Sequence, residues 1–146
     1  MDPSESIVVL LVEDDPADQK LVRKALENQE LTCELHVAQT GEEALEYLKR
    51  NGAGDVNCPA PDVILLDLNM PGMGGREFLK VIKANEKLCS IPVIVLTTSD
   101  SETDIQQCYR LQASGYVQKP TAPPDFQRAL KKVVKYWFLS ALPSKH

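Results

Sequence analysis

Short, uninterrupted apolar runs alternate with helix-period segments along this chain, and several of the runs stop abruptly at an acidic, hydroxyl or basic residue. Ile7 to Val12 (IVVLLV) opens the pattern as a continuous run rich in β-branched residues, the composition of a strand buried on both faces. Pro16 then stands where a first helical turn tolerates proline, and Ala17, Leu21, Val22, Ala25 and Leu26 follow at helical spacing. Leu35 to Ala38 reads as a weaker strand, with Thr40 as the cap of a helix carrying Ala44, Leu45 and Leu48. Asp62 to Leu68 (DVILLDL), Ile91 to Thr98 (IPVIVLTT) and Gly115 to Gln118 are the remaining strands. Between them, Phe78, Leu79 and Ile82 mark one helix, and Ile105, Cys108 and Leu111 mark another, starting near Ser101. A last stripe of Phe126, Leu130, Val133, Val134, Trp137 and Phe138 ends the series. Strands alternating with helices predict an α/β fold: a doubly wound parallel sheet covered on both faces, with ligands beyond the carboxyl ends of the strands.

The 146 residues fit one domain, expected over 1–146 with its core at about 7–139 and no effector domain attached. The start, Met1 to Ser6, is polar, and no run is long enough to span a bilayer, so neither a signal peptide nor a membrane anchor is expected. A net charge of −5 argues against broad nucleic-acid binding. Cys33, Cys58, Cys89 and Cys108 are widely spaced, with no C-x-x-C; reduced, partly buried thiols in a cytoplasm are the simple reading. Asn51 to Pro61 (NGAGDVNCPAP) reads as an irregular protruding loop.

The polar residues that end the runs are Glu13-Asp14-Asp15, Asp67, Thr97-Thr98 and Lys119-Pro120, and the topology sends all of them to one sheet edge. Glu13, Asp14 and Asp67 would bring carboxylates together, a costly arrangement unless a cation or proton compensates. An all-oxygen donor set without His or thiolate selects Mg²⁺, with Mn²⁺ as the alternative. A carboxylate is also a competent nucleophile toward phosphorus, and the charge developing on the transferred group calls for cations and hydrogen-bond donors such as Lys119 and Thr97.

In their order and spacing, LVEDDP, DLNMPGMGG, VLTTS and GYVQKP resemble the receiver domains of two-component response regulators, over about Ile7 to Leu139. The resemblance implies a flavodoxin-like (β/α)5 fold with strand order 2-1-3-4-5. It also implies that Asp67 is the phosphoacceptor, Asp14 a direct Mg²⁺ ligand, Glu13 a ligand through water, and the Asn69 carbonyl a further ligand. Lys119 would pair with the acceptor or its phosphate, with a cis bond to Pro120. Thr97 would be the switch hydroxyl and Tyr116 the aromatic that moves with it. Asp15 would cap or face water. No separate cofactor site and no enzyme beyond self-assisted phosphorylation and dephosphorylation are implied. The segment before the third strand, LTTS and the YWF finish resemble more narrowly the single-domain regulators that serve phytochrome histidine kinases. A sensor histidine kinase is then the expected donor and a downstream protein the expected target.

Thr98, Ser99 and Asn69 stand where they affect hydrolysis of an acyl phosphate, so the lifetime of that state is open. The chief rival is a haloacid-dehalogenase-type phosphatase, which needs a second Asp two residues after its nucleophile; this chain has Asn69 there. A pseudo-receiver would lose an acidic ligand or the lysine, and a flavodoxin-like electron carrier would lack the acidic run after strand one. His36 reads as structural, and Pro71 and Gly75 as turn-forming residues. Arg128, Lys131, Lys132 and Lys135 form a basic stripe on the last helix, read first as a solvated face and otherwise as a docking surface for an acidic partner or a second protomer. The extra apolar area of Trp137, Phe138, Leu139 and Leu142 predicts homodimerisation through the last helix and its neighbouring surface.

Overall fold

The computed structural model of the chain describes residues 7–27, 32–68, 73–97, 102–118 and 126–136. The apolar runs pair as parallel strands: β1 (Ile7–Val12), β2 (Cys33–Ala38), β3 (Val63–Asp67), β4 (Val93–Thr97) and β5 (Gly115–Gln118), in the order β2-β1-β3-β4-β5. This is the expected flavodoxin-like topology. Helices α1 (Pro16–Leu26), α2 (Gly41–Gly52), α3 (Gly75–Ala84) and α4 (Glu102–Arg110) make the crossovers, and a further helix, α5, covers 126–136. Pro16 is the first residue of α1, where its missing N–H is harmless, and the Asp15 side chain caps the turn by accepting the Ala17 N–H at 2.9 Å. Thr40 caps α2 by accepting the Glu43 N–H at 3.1 Å.

Strand periodicity divides the core in two. Ile7, Val9 and Leu11 of β1 face Val22, Ala25 and Leu26 of α1 and Phe126, Leu130 and Val134 of α5. Leu10 and Val12 face Ala44 and Leu48 of α2 and Phe78, Leu79 and Ile82 of α3. Both faces are dry, which is why β3 reads as an unbroken apolar run rather than an alternating one. Ala17 is the exception among the residues expected inward on α1: it is exposed at the first turn. β4 starts at Val93 rather than Ile91, because Ile91 closes a turn onto the Leu88 carbonyl at 3.0 Å and Pro92 has no N–H to give the ladder. Among the described residues, no helix is long and apolar enough to cross a membrane.

The 51–61 segment is irregular from residue 53 onward and largely exposed, as its Gly, Pro and Asn content predicts, but specific hydrogen bonds tie it down. α2 continues through Gly52, and the chain then folds back in tight turns, with Gly54 at φ +86°, the Asp55 N–H bonded to the Arg50 carbonyl at 3.0 Å, and the Asp55 side chain accepting the Asn57 N–H at 2.9 Å. The Asn51 amide donates to the Cys58 carbonyl at 3.0 Å, and the Tyr47 hydroxyl donates to the Pro59 carbonyl at 2.6 Å. Cys58 and Pro61 are buried beneath the segment, while Gly52, Ala53, Gly54, Asn57 and Ala60 are exposed and Val56 is 90 % exposed. Loop-like composition thus encodes a tied-down turn. The thiols divide by place: Cys58 buried, Cys33 half-buried and Cys89 exposed, all three free.

His36 on β2 is half-buried and engaged on both sides. Its Nε2 lies 2.6 Å from Glu34 and its ring meets that of Tyr47 at a centroid distance of 5.3 Å. Desolvation, followed by the negative charges of Cys58 and Glu34, pushes the Tyr47 phenol up to about 12. A folded value above the ordinary one means that this stability contribution is complete below pH 10 and is lost as pH rises through about 12. An alkaline absorbance titration should therefore show a late phenolate step that is absent from Tyr47→Phe. The same variant should lose about 1 kcal/mol in urea unfolding through the bond to Pro59.

Candidate functional site

Sheet register builds the site. Val12 is level with Leu66 and Asp67 with Leu96, so Glu13 and Asp14, leaving β1, meet Asp67 at the end of β3. Carboxylate oxygens of Glu13, Asp14 and Asp67 all lie within 4.8 Å of one another. Glu13 is fully buried and Asp67 only 5 % exposed, while Asp14 is half-buried. The group has the donor set of a divalent-cation cradle: three hard oxygen donors at the ends of two adjacent strands, partly withdrawn from water. The donor chemistry fits Mg²⁺ or Mn²⁺ and does not fit a soft metal.

The backbone around the cluster is held from several directions. The Glu13 N–H donates to the Ala38 carbonyl of β2 at 2.9 Å, and the Gln19 amide of α1 donates to the Glu13 carbonyl at 2.7 Å. The Asp15 N–H also reaches a Glu13 carboxylate oxygen at 3.3 Å. Behind Asp67, α3 begins at Gly75, whose N–H donates to the Leu68 carbonyl at 3.3 Å. A Cβ on Gly75 would lie 2.7 Å from the Leu68 Cα and closer still to the Asp67 carbonyl oxygen. Gly75 is therefore more than the turn-forming residue that its motif suggests: it lets a helix abut the strand that carries Asp67. Just before α3, the Met73 N–H donates to Glu42 of α2 at 2.9 Å, tying the approach to α3 to the neighbouring helix. Neither Gln19 nor Glu42 is singled out by the sequence, because amides and carboxylates on exposed helical turns carry no motif.

Thr97 ends β4 level with Gln118, one step beyond Asp67 on the same edge. Tyr116 pairs with Val95 and packs, half-buried, against the core on the α2–α3 face. Asn69, Lys119 and the Lys119–Pro120 bond lie outside the described residues, as do Pro71, Thr98, Ser99, Trp137, Phe138, Leu139 and Leu142.

The response regulator receiver domain family matches residues 9–131. Response regulator Rcp1 of Synechocystis sp. is 39 % identical over 130 residues, 89 % of this chain and 88 % of that protein. The crystal structure of the phosphorylated cyanobacterial phytochrome response regulator RcpA superposes with a TM-score of 0.84 at 38 % identity, covering 93 % of this chain and 96 % of that one. The Mn²⁺-bound form of Rcp1 gives 0.80 at 39 % identity, over 90 % of this chain and 94 % of the other. An acidic cluster at the carboxyl edge of a sheet in 2-1-3-4-5 order, with these relatives, identifies the chain as a two-component signalling protein belonging to the response regulator receiver domain family.

Proposed function

We propose that this chain accepts a phosphoryl group on Asp67 from a sensor histidine kinase, in a reaction that requires Mg²⁺ (or Mn²⁺), and that the acyl phosphate switches its partner-binding surface. The observation that carries the reading is the convergence of Glu13, Asp14 and Asp67 within 4.8 Å at the strand ends. An Asp67 oxygen forms the O–P bond as the N–P bond of the donor phosphohistidine breaks; the electron pair leaves with the imidazole nitrogen, which takes up a proton. Asp14 and Asp67 would hold the cation directly and Glu13 through water, with the Asn69 carbonyl as a further ligand, as the family resemblance implies. The bound cation supplies neutralisation of the phosphoryl oxygens. Lys119 and the Thr97 hydroxyl offer a positive charge and a donor to those oxygens. With about −1.5 to −2 of added charge, Thr97 is drawn inward and Tyr116 follows, altering the surface around α4, β5 and α5.

Residues 7–139 serve as the core of one receiver domain working in the cytoplasm. The phytochrome relatives favour a phytochrome-like kinase as the donor. Arg128, Lys131, Lys132 and Lys135 are exposed on α5, which suits docking of a second protomer or an acidic target. Incubation with acetyl phosphate and Mg²⁺, read by intact mass, should add one phosphoryl group to the wild type. Asp67→Asn, and wild type with chelator, should add none. Equal labelling of Asp67→Asn would defeat the assignment.

A further inference from the structure

At the sheet edge remote from the acidic cluster, the C-terminal halves of α2 and α3 enclose a half-open groove of about 400 Å³. Its floor is apolar. Leu48 is buried, Leu45 and Leu88 are half-buried, and Val81 is 38 % exposed, in a groove that stays open to one side among the described residues. The lining carries two positive charges, Lys49 and Lys87, and no negative one, in a chain whose net charge is −5. Neither ammonium has a hydrogen-bond or ion-pair partner among the described residues.

The amides of the lining, by contrast, hold the frame. The Asn85 side-chain oxygen accepts the N–H groups of Lys87 and Leu88 at 2.8 and 3.2 Å, fixing the turn that presents Leu88. Asn51 is occupied with the Cys58 carbonyl. The mouth is kept low at Gly52, where a Cβ would meet nothing within 4 Å. A second groove, lined by Glu43, Glu46 and Arg50 beside Tyr47, lacks this character, because it is smaller and its charged lining is net negative.

We propose that the α2–α3 groove binds a free apolar monocarboxylate. The ligand's hydrocarbon part lies along Leu45, Leu48, Val81 and Leu88, and its carboxylate meets Lys49 and Lys87 at the rim. Pockets of this size, mostly apolar with a few convergent polar groups, suit small ligands. An unpaired ammonium beside apolar surface gains most from a charged oxygen, because a charge-assisted bond is about twice as strong as a neutral one. The site is independent of phosphoryl chemistry, and its test does not require Asp67 to be active.

The experiment is a titration of the ¹⁵N-labelled full chain with decanoate, kept below its micelle concentration, with n-decanol as the neutral probe. Saturable shifts confined to residues 45–52 and 81–88 are expected, with decanol at least about tenfold weaker. Lys49→Gln combined with Lys87→Gln should erase the preference for the acid over the alcohol. Gly52→Leu, which projects from the rim into open space, should weaken both ligands while leaving the urea midpoint unchanged or raised. Absence of saturable shifts, shifts scattered over the surface, equal affinity for decanol, or indifference to the lysine substitutions would each overturn the proposal.

Discussion

Gly75→Val is expected to lower the unfolding free energy by about 3 kcal/mol and to weaken divalent-cation binding by roughly tenfold or more. The cause is geometric. A Cβ at this position falls 2.7 Å from the Leu68 Cα and inside contact distance of the Asp67 carbonyl oxygen. These are backbone atoms at the end of the central strand β3 and just beyond it, so the clash cannot be relieved by rotating a side chain. Either α3 shifts outward, opening the layer formed by Phe78, Leu79 and Ile82, or the end of β3 moves and takes the Asp67 carboxylate with it. Gly74→Ser is the control. Its added Cβ meets nothing within 4 Å, and Gly74 is an N-cap with extended backbone and no side-chain bond to the helix, so serine should be neutral or slightly stabilising. Urea unfolding and a Mn²⁺ titration on the same samples separate the two losses. Equal stability of Gly75→Val and wild type would refute the packing argument.

Saturating divalent cation is expected to raise the melting temperature of the wild type by roughly 5–10 °C, as about 2.7 kcal/mol of linkage at a hundred times Kd implies for a chain of this size. Glu13, Asp14 and Asp67 repel one another within 4.8 Å, so the cation-free protein carries a penalty that ligation removes. Asp14→Asn should cancel most of the thermal response and leave the cation-free protein at least as stable as wild type, since it deletes one of three like charges. A thermal shift of the same size in Asp14→Asn would show that the cation binds elsewhere. Chelator should return the wild type to its cation-free melting temperature, and a soft metal should not substitute for Mg²⁺ or Mn²⁺.

Much of this protein is legible along the chain because its determinants are local or repetitive. The runs IVVLLV and DVILLDL declare strands buried on both faces, and Asp15-Pro16 and Thr40 declare helix starts through cap chemistry that needs no tertiary partner. The identities of Glu13, Asp14 and Asp67 follow from strand ends that share one edge whenever the connections are parallel crossovers. What periodicity cannot supply is distance. Whether the three carboxylates meet depends on register, Val12 with Leu66 and Asp67 with Leu96, which a one-residue slip would destroy without changing any local preference.

The 51–61 segment shows the same boundary from the other side. Its Gly, Asn and Pro residues mark a departure from regular structure, but the side chains that pin it down, Tyr47 and Asn51, belong to a helix. Gly75 is equally silent in one dimension, because the atoms that forbid a Cβ there belong to residues on a different element. The sequence by itself determined the order and type of the elements and the chemistry gathered at their ends, since these rest on side-chain periodicity and capping within a few residues. Only the tertiary structure decided the spacing of the carboxylates, the close approach at Gly75 and the open groove between α2 and α3. Each of these is a distance between segments remote in sequence, set by how helices and strands pack.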